Sequence, residues 1–101
     1  MYTIAETDTF KAKAARYWSE EERLTFFSYL AQNPLQGDVI QGGQGLRKIR
    51  WKRRGTGKSS GYRVIYFNLL ENGLIICADM YSKNEKENLS RQELNKLKGQ
   101  K

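Results

Sequence analysis

Gly61-Tyr62-Arg63-Val64-Ile65-Tyr66-Phe67-Asn68-Leu69-Leu70, then Glu71-Asn72-Gly73, then Leu74-Ile75-Ile76-Cys77-Ala78, is the stretch that decides the fold. The first run is dense in aromatic and β-branched residues and reads as a strand over 61–70. Asn72-Gly73 is the preferred pair for a two-residue hairpin turn, because both tolerate positive φ. A partner strand over 74–83 follows, antiparallel to the first. Upstream, 46–52 alternates as a third strand, with Ile49 and Trp51 on one face and Lys48, Arg50 and Lys52 on the other. Residues 53–60 form a basic, Gly-containing loop, and 37–45, with four glycines, reads as a flexible connection.

The amino-terminal third has helical spacing instead. Tyr2 and Ile4 alternate as a short first strand, and Thr9 is placed to cap a helix carrying Phe10, Ala14 and Tyr17 on one face. Ser19 with Glu22 is a capping box, and Glu20, Glu21 and Glu22 suit the positive end of a helix. Leu24, Phe27, Leu30 and Ala31 give its apolar stripe, and Asn33-Pro34 ends it. Ser90 with Glu93 repeats the capping box ahead of Leu94 and Leu97 in a short final helix. The order β-α-α-β-β-β-α predicts one α+β domain over residues 1–101: a helical hairpin packed on one face of a twisted, mainly antiparallel four-stranded sheet, with a short C-terminal helix. The first strand adds beside a later one. The second sheet face is left open to solvent and collects the basic residues.

Composition narrows the function classes. Apolar residues make up 39% and the longest purely apolar stretch, Leu74–Ala78, has five residues, far from the roughly 20 that span a bilayer. No apolar leader follows the start, and one cysteine, Cys77, forms no internal disulfide, as in a reducing cytoplasm. With no histidine, the usual general base and commonest metal ligand are missing. The net charge of +7 is unevenly placed: residues 1–38 carry 4 basic and 6 acidic groups, 39–70 carry 8 basic and none acidic, and 71–101 carry 6 and 5. A one-sign block in a folded domain points to an anionic partner, nucleic acid first among them.

Within that block, Gly57-Lys58-Ser59 imitates a phosphate loop, but the motif needs a Gly where Lys52 stands and a helix where a strand follows. Arg63 stands inside the apolar run of a central strand, so its charge needs a counter-ion or a ligand. A bound phosphate meets that need through a bidentate fork; Asp79 on the neighbouring strand is the structural alternative. Tyr81, Lys83 and Glu85 recur at period two and share a face if the last strand runs that far; all three are acid–base groups.

Three stretches together closely resemble the RelE/ParE superfamily of bacterial toxins: Gly45-Leu46-Arg47-Lys48-Ile49-Arg50, Gly57-Lys58 ahead of Gly61-Tyr62-Arg63-Val64-Ile65-Tyr66, and Tyr81-Ser82-Lys83-Asn84-Glu85. Asn33-Pro34 and Gly37-Asp38-Val39-Ile40 look like its HigB-type branch. The resemblance runs over roughly residues 1–98 in the same element order. It implies a cytoplasmic, ribosome-dependent mRNA endonuclease that inhibits translation, with mRNA and ribosomal RNA as partners and a cognate helix-turn-helix antitoxin. The toxin–antitoxin complex would sit on operator DNA, with no membrane and no cofactor. The motif match puts Lys48, Arg50 and Arg63 on an open face, with Tyr81, Lys83 and Glu85 completing the catalytic set. Lys52, Arg53, Arg54 and Lys58 hold RNA phosphates, and no residue is assigned to a metal. Repulsion among clustered cations is a general route to a usable amine base, which makes Lys48 and Lys83 the candidates. The sequence departs from RelE in two places: Asn84 replaces a cation of a Lys-Arg-Glu run, and RelE's late catalytic tyrosine has no match, Tyr81 being a nearby substitute. ParE-like gyrase inhibition and a non-catalytic nucleic-acid-binding module are the alternative functions.

Overall fold

The computed structural model describes residues 2–52, 61–83, 85–86 and 88–99. The elements are β1 (Thr3–Glu6), α1 (Asp8–Tyr17), α2 (Glu20–Gln32), β2 (Asp38–Val39), β3 (Arg47–Lys52), β4 (Gly61–Leu69), a 3-10 turn (Leu70–Asn72), β5 (Leu74–Ser82) and α3 (Arg91–Lys98). The sheet has five strands in the order β1-β5-β4-β3-β2, one more than expected, because the two residues of β2 pair with Lys48 and Arg47. β1 runs parallel to β5 and every other pair is antiparallel.

Local chemistry explains the helix limits. Thr7, not Thr9, caps α1: its hydroxyl accepts from Phe10 N and also donates to Ala78 O at 2.8 Å, fastening the helix start to β5. The Ser19–Glu22 and Ser90–Glu93 capping boxes both form, and Asn33 ends α2. The hairpin buries Phe10 and Ala14 of α1 and Phe26 and Leu30 of α2 against Ile49, Tyr62, Val64, Tyr66, Ile75, Cys77 and Met80. Each large side chain buried there contributes about 1.5–3 kcal/mol. On α2 the inward residue is Phe26 rather than Leu24, which is 55% exposed.

Two turns differ from expectation. The β4–β5 connection is the 3-10 turn closed by Gly73 at φ 69°, not a two-residue turn, so only Gly73 uses left-handed backbone. Residues 37–45 are an ordered corner rather than a loose connection. Gly37 N–H donates to the Tyr66 hydroxyl at 2.9 Å, and that hydroxyl donates to Pro34 O at 2.9 Å. Ile40 and Leu46 then close a hairpin through Ile40 N–H to Leu46 O.

A bulge in β5 sets which side chains reach the second face. Ile65 pairs with Asp79 and Tyr66 with Cys77, leaving Ala78 unpaired. Cys77 and Met80, three residues apart, therefore both pack under the helices, while Ala78 and Tyr81 both join the opposite face.

Candidate nucleic-acid interface

The second sheet face is not wholly open, as alternation alone suggested. α3 lays Leu97 and Leu94 on Ile65, Phe67, Ala78 and Tyr81, joined by Leu46 and Ile40, to make a second core over one end. The capping box and the apolar spacing of Leu94 and Leu97 build a helix with one sticky side, which is why it settles there. The cations occupy the other end. Along β3, Lys48 stands opposite Ile65, Arg50 opposite Arg63 and Lys52 opposite Gly61; Arg63 stands opposite Tyr81 of β5. Directly opposed residues share a face, so Lys48, Arg50, Lys52 and Arg63 lie on one side of the sheet.

Arg63 is the most constrained of them, at 8% exposure. A Cβ added to Gly61 would stand 3.5 Å from its Nη1, so the guanidinium lies over bare backbone. Its cross-strand neighbour is another arginine, and like charges directly opposite are destabilising. Asp79, the structural alternative for its counter-ion, is engaged elsewhere: Lys13 Nζ of α1 donates to its Oδ1 at 2.7 Å, and that oxygen also accepts from Met80 N–H. Among the described residues, no hydrogen bond or ion pair reaches the Arg63 guanidinium.

The remaining candidates take different places. Lys48 Nζ donates to Asn88 Oδ1 at 2.8 Å, which ties β3 to the segment before α3; nothing in the sequence flagged Asn88. Tyr81 is buried in the second core, with Lys86 Nζ 5.2 Å from its ring centre. β5 ends at Ser82, so Lys83 and Glu85 do not continue its alternation. They lie in a turn instead: Lys83 N–H bonds Gly61 O, Glu85 N–H bonds Ser82 O, and a Glu85 carboxylate oxygen accepts from Ser82 N–H. Lys83 thereby sits beside the start of β4, two residues from Arg63, while Glu85 closes the turn. Asn84, Arg53, Arg54 and Lys58 lie outside the described residues. Among the described residues, no three His, Cys, Asp or Glu side chains gather as a metal-ligand set. The Cys77 thiol is held above its ordinary pKa, chiefly by burial and then by Glu6, so it offers no nucleophile.

What this face offers chemically is a row of cations on adjacent strands, a charge suited to a phosphodiester. Sequence reading missed a groove on the outer edge of β3. It is lined by Tyr29, Gln36, Asp38, Lys48, Ile49, Arg50 and Trp51, and exists because β2 pairs no further along β3 than Lys48. The available signal was the aromatic Trp51 next to Arg50 in a strand whose neighbour is only two residues long.

No family model matches the chain. Among solved structures it is similar to the isolated E. coli RelE toxin, at 19% identity with a TM-score of 0.57 over the whole of both chains. It is also similar to the intact E. coli RelBE toxin–antitoxin complex, at 18% identity and TM-score 0.55, over 79% of this chain and 94% of that one. At such identity the likeness is one of architecture, and it agrees with the helical hairpin, sheet and C-terminal helix described above. The chain therefore has the fold of RelE.

Proposed function

We propose that this chain is the toxin of a toxin–antitoxin pair and acts as a ribosome-dependent mRNA endonuclease. The observation that carries this is the Arg50–Arg63 pair: two arginines directly opposed in the register of adjacent strands, the second nearly buried and, among the described residues, without a counter-ion. Such a pair costs stability unless an anion bridges it, and a phosphodiester is the anion that fits a bidentate fork. The RelE fold supports the same reading.

In the proposed reaction the RNA 2′-oxygen attacks the adjacent phosphorus and the bond to the 5′-oxygen breaks, leaving a 2′,3′-cyclic phosphate and a 5′-hydroxyl. Arg63 and Arg50 hold the non-bridging oxygens as charge builds on them. A proton leaves the 2′-hydroxyl and another reaches the departing 5′-oxygen; Lys48, Lys83 and Glu85 are the acid–base groups proposed to move them. Tyr81, opposite Arg63 on the neighbouring strand, is assigned to position the arginine. Lys52 extends the cationic track, and Arg53, Arg54 and Lys58 continue it in sequence toward ribosomal RNA.

The E. coli complex pairs a toxin with an antitoxin, which supports a protein antitoxin for this chain; a helix-turn-helix partner and an operator-bound complex belong to the same proposal. Placement in the HigB-type branch rests on the segments Asn33-Pro34 and Gly37-Asp38-Val39-Ile40. Among the described residues, no helix is long and apolar enough to cross a membrane; a cytoplasmic site of action belongs to the proposal.

The test is to add the protein to ribosomes carrying a defined mRNA and map the ends. Cleavage in the A-site codon with cyclic-phosphate ends supports the proposal. Intact mRNA with inhibited supercoiling by gyrase moves the chain to the ParE-like function. Intact mRNA with tight RNA binding leaves a binding module. The metal-free mechanism is tested by replacing a non-bridging oxygen of the scissile phosphate with sulfur at fixed magnesium: the expected slowing is not relieved by thiophilic metals, and relief by them would contradict it.

A further inference from the structure

We infer that the groove on the outer edge of β3 is a subsite for a guanine base of single-stranded RNA, next to the phosphate held by Arg50 and Arg63. The inference rests on the endonuclease proposal for its place in a reaction, but not for its binding chemistry. The groove encloses about 490 Å³, room for a purine and its sugar. One side is aromatic: Trp51 packs edge-on against Phe26 at 5.1 Å and lies 5.3 Å from the Tyr29 ring, so the pair is held in place while still lining the groove. Single-stranded bases are bound by stacking on such rings.

The other side is polar and unspent. Asp38 is exposed and stands opposite Lys48 in the β2–β3 register. Lys48, however, gives its ammonium to Asn88, and among the described residues no ion pair or side-chain hydrogen bond occupies the Asp38 carboxylate. Gln36, also exposed, uses its backbone N–H on Asn33 O and keeps its amide side chain on the groove. Both residues are held by the corner fixed at Gly37, where the Tyr66 hydroxyl and the Arg47 guanidinium, the latter 2.7 Å from Gly37 O, clamp the backbone between them.

A carboxylate accepts two N–H bonds side by side. Guanine alone among the four bases presents two adjacent donors, N1–H and the N2 amino group, on its Watson–Crick edge. Its O6 is an acceptor for an amide N–H such as that of Gln36. The cations at the groove's inner end, Lys48 and Arg50, are shared with the phosphate site, so one nucleotide spans both. An extended peptide added to the free edge of β3 is the competing occupant. The mixture of a lone carboxylate, an amide and two cations around two aromatic rings favours the nucleotide.

The experiment titrates the whole protein with GMP, IMP, AMP, CMP and UMP and follows the indole N–H resonances by NMR. The chain has two tryptophans, and Trp18, buried at the end of α1, does not line the groove. The expected result is a saturable shift of Trp51 with GMP, about tenfold weaker binding of IMP, which lacks one amino donor, and weaker binding still of AMP, CMP and UMP. Asp38→Asn should erase the GMP preference, with Trp18 and the overall fold unmoved. Equal binding of all nucleotides, or shifts confined to residues outside the groove, would overturn the subsite. So would a Trp51 shift produced only by a strand-forming peptide. A protein that binds GMP in this way yet leaves ribosomal mRNA intact would keep the subsite and lose the endonuclease reading.

Discussion

Arg63 has its guanidinium beside Gly61, an arginine across one strand pair and a tyrosine across the other. Lysine in its place would keep the charge and lose the planar fork, so Arg63→Lys should recover little of the activity removed by Arg63→Ala. Tyr66 makes a second residue-scale prediction. Its hydroxyl accepts from Gly37 N–H and donates to Pro34 O, and burial, the largest influence, raises its pKa, so it stays a neutral donor. Tyr66→Phe should destabilise the fold by about 1–3 kcal/mol in urea unfolding, because a buried N–H loses its acceptor; an unchanged midpoint would show that the Tyr66 hydroxyl holds nothing at the corner. At this scale the sequence was informative about charge and silent about company. The isolation of Arg63 from acidic residues could be seen in a segment without any, whereas the capture of Asp79 by Lys13, 66 positions away, could not. Period two in Tyr81, Lys83 and Glu85 reads as one face because the strand end carries no Gly or Pro; the bonds between Glu85 and Ser82 turn the chain there instead.

Among the elements, α3 responds most directly to pH. Glu93 sits at its third position, bonded to Lys86 and to the Ser90 backbone, and these contacts lower its pKa from 4.5 to about 2, the Lys86 bond being the largest cause. A carboxylate depressed in the folded state contributes stability above its unfolded pKa and loses it as pH falls through the folded value. The docking of α3 should therefore weaken between about pH 4.5 and pH 2, and Glu93→Gln should remove that part of the acid transition. Helical circular dichroism across that window checks it; identical acid curves for both proteins would mean that Glu93 holds nothing. Leu97→Ala should cost about 2–5 kcal/mol by opening the second core. The elements themselves were legible because caps and periodicity are local: both capping boxes and all the long strands stand where they were expected. The Thr7 cap, the bulge at Ala78 and the two-residue β2 were not, since each is decided by what β5 or β3 presents from far along the chain.

For the whole molecule, the uneven charge becomes geometry. The basic strands β3 and β4 lie inside the sheet, α2 with its acidic start packs on the opposite layer, and α3 covers one end of the second face. Ribosome affinity should therefore fall steeply with salt, with a log–log slope of several negative units, since each phosphate contact releases counter-ions. Neutralising Lys52, Arg53, Arg54 and Lys58 together should flatten it while the thermal midpoint stays put; a flat slope in the unaltered protein would point to a protein partner. The overall α+β plan followed from the order of periodicities, while the covering of half the cationic face followed only from tertiary packing. The central claim is that this face cleaves RNA, and single-turnover cleavage of A-site mRNA on programmed ribosomes tests it most directly. The unaltered protein should show a measurable rate, and Arg63→Ala a drop of at least about a hundredfold at unchanged ribosome affinity. Equal rates for the two proteins, or no cleavage by either, would contradict it.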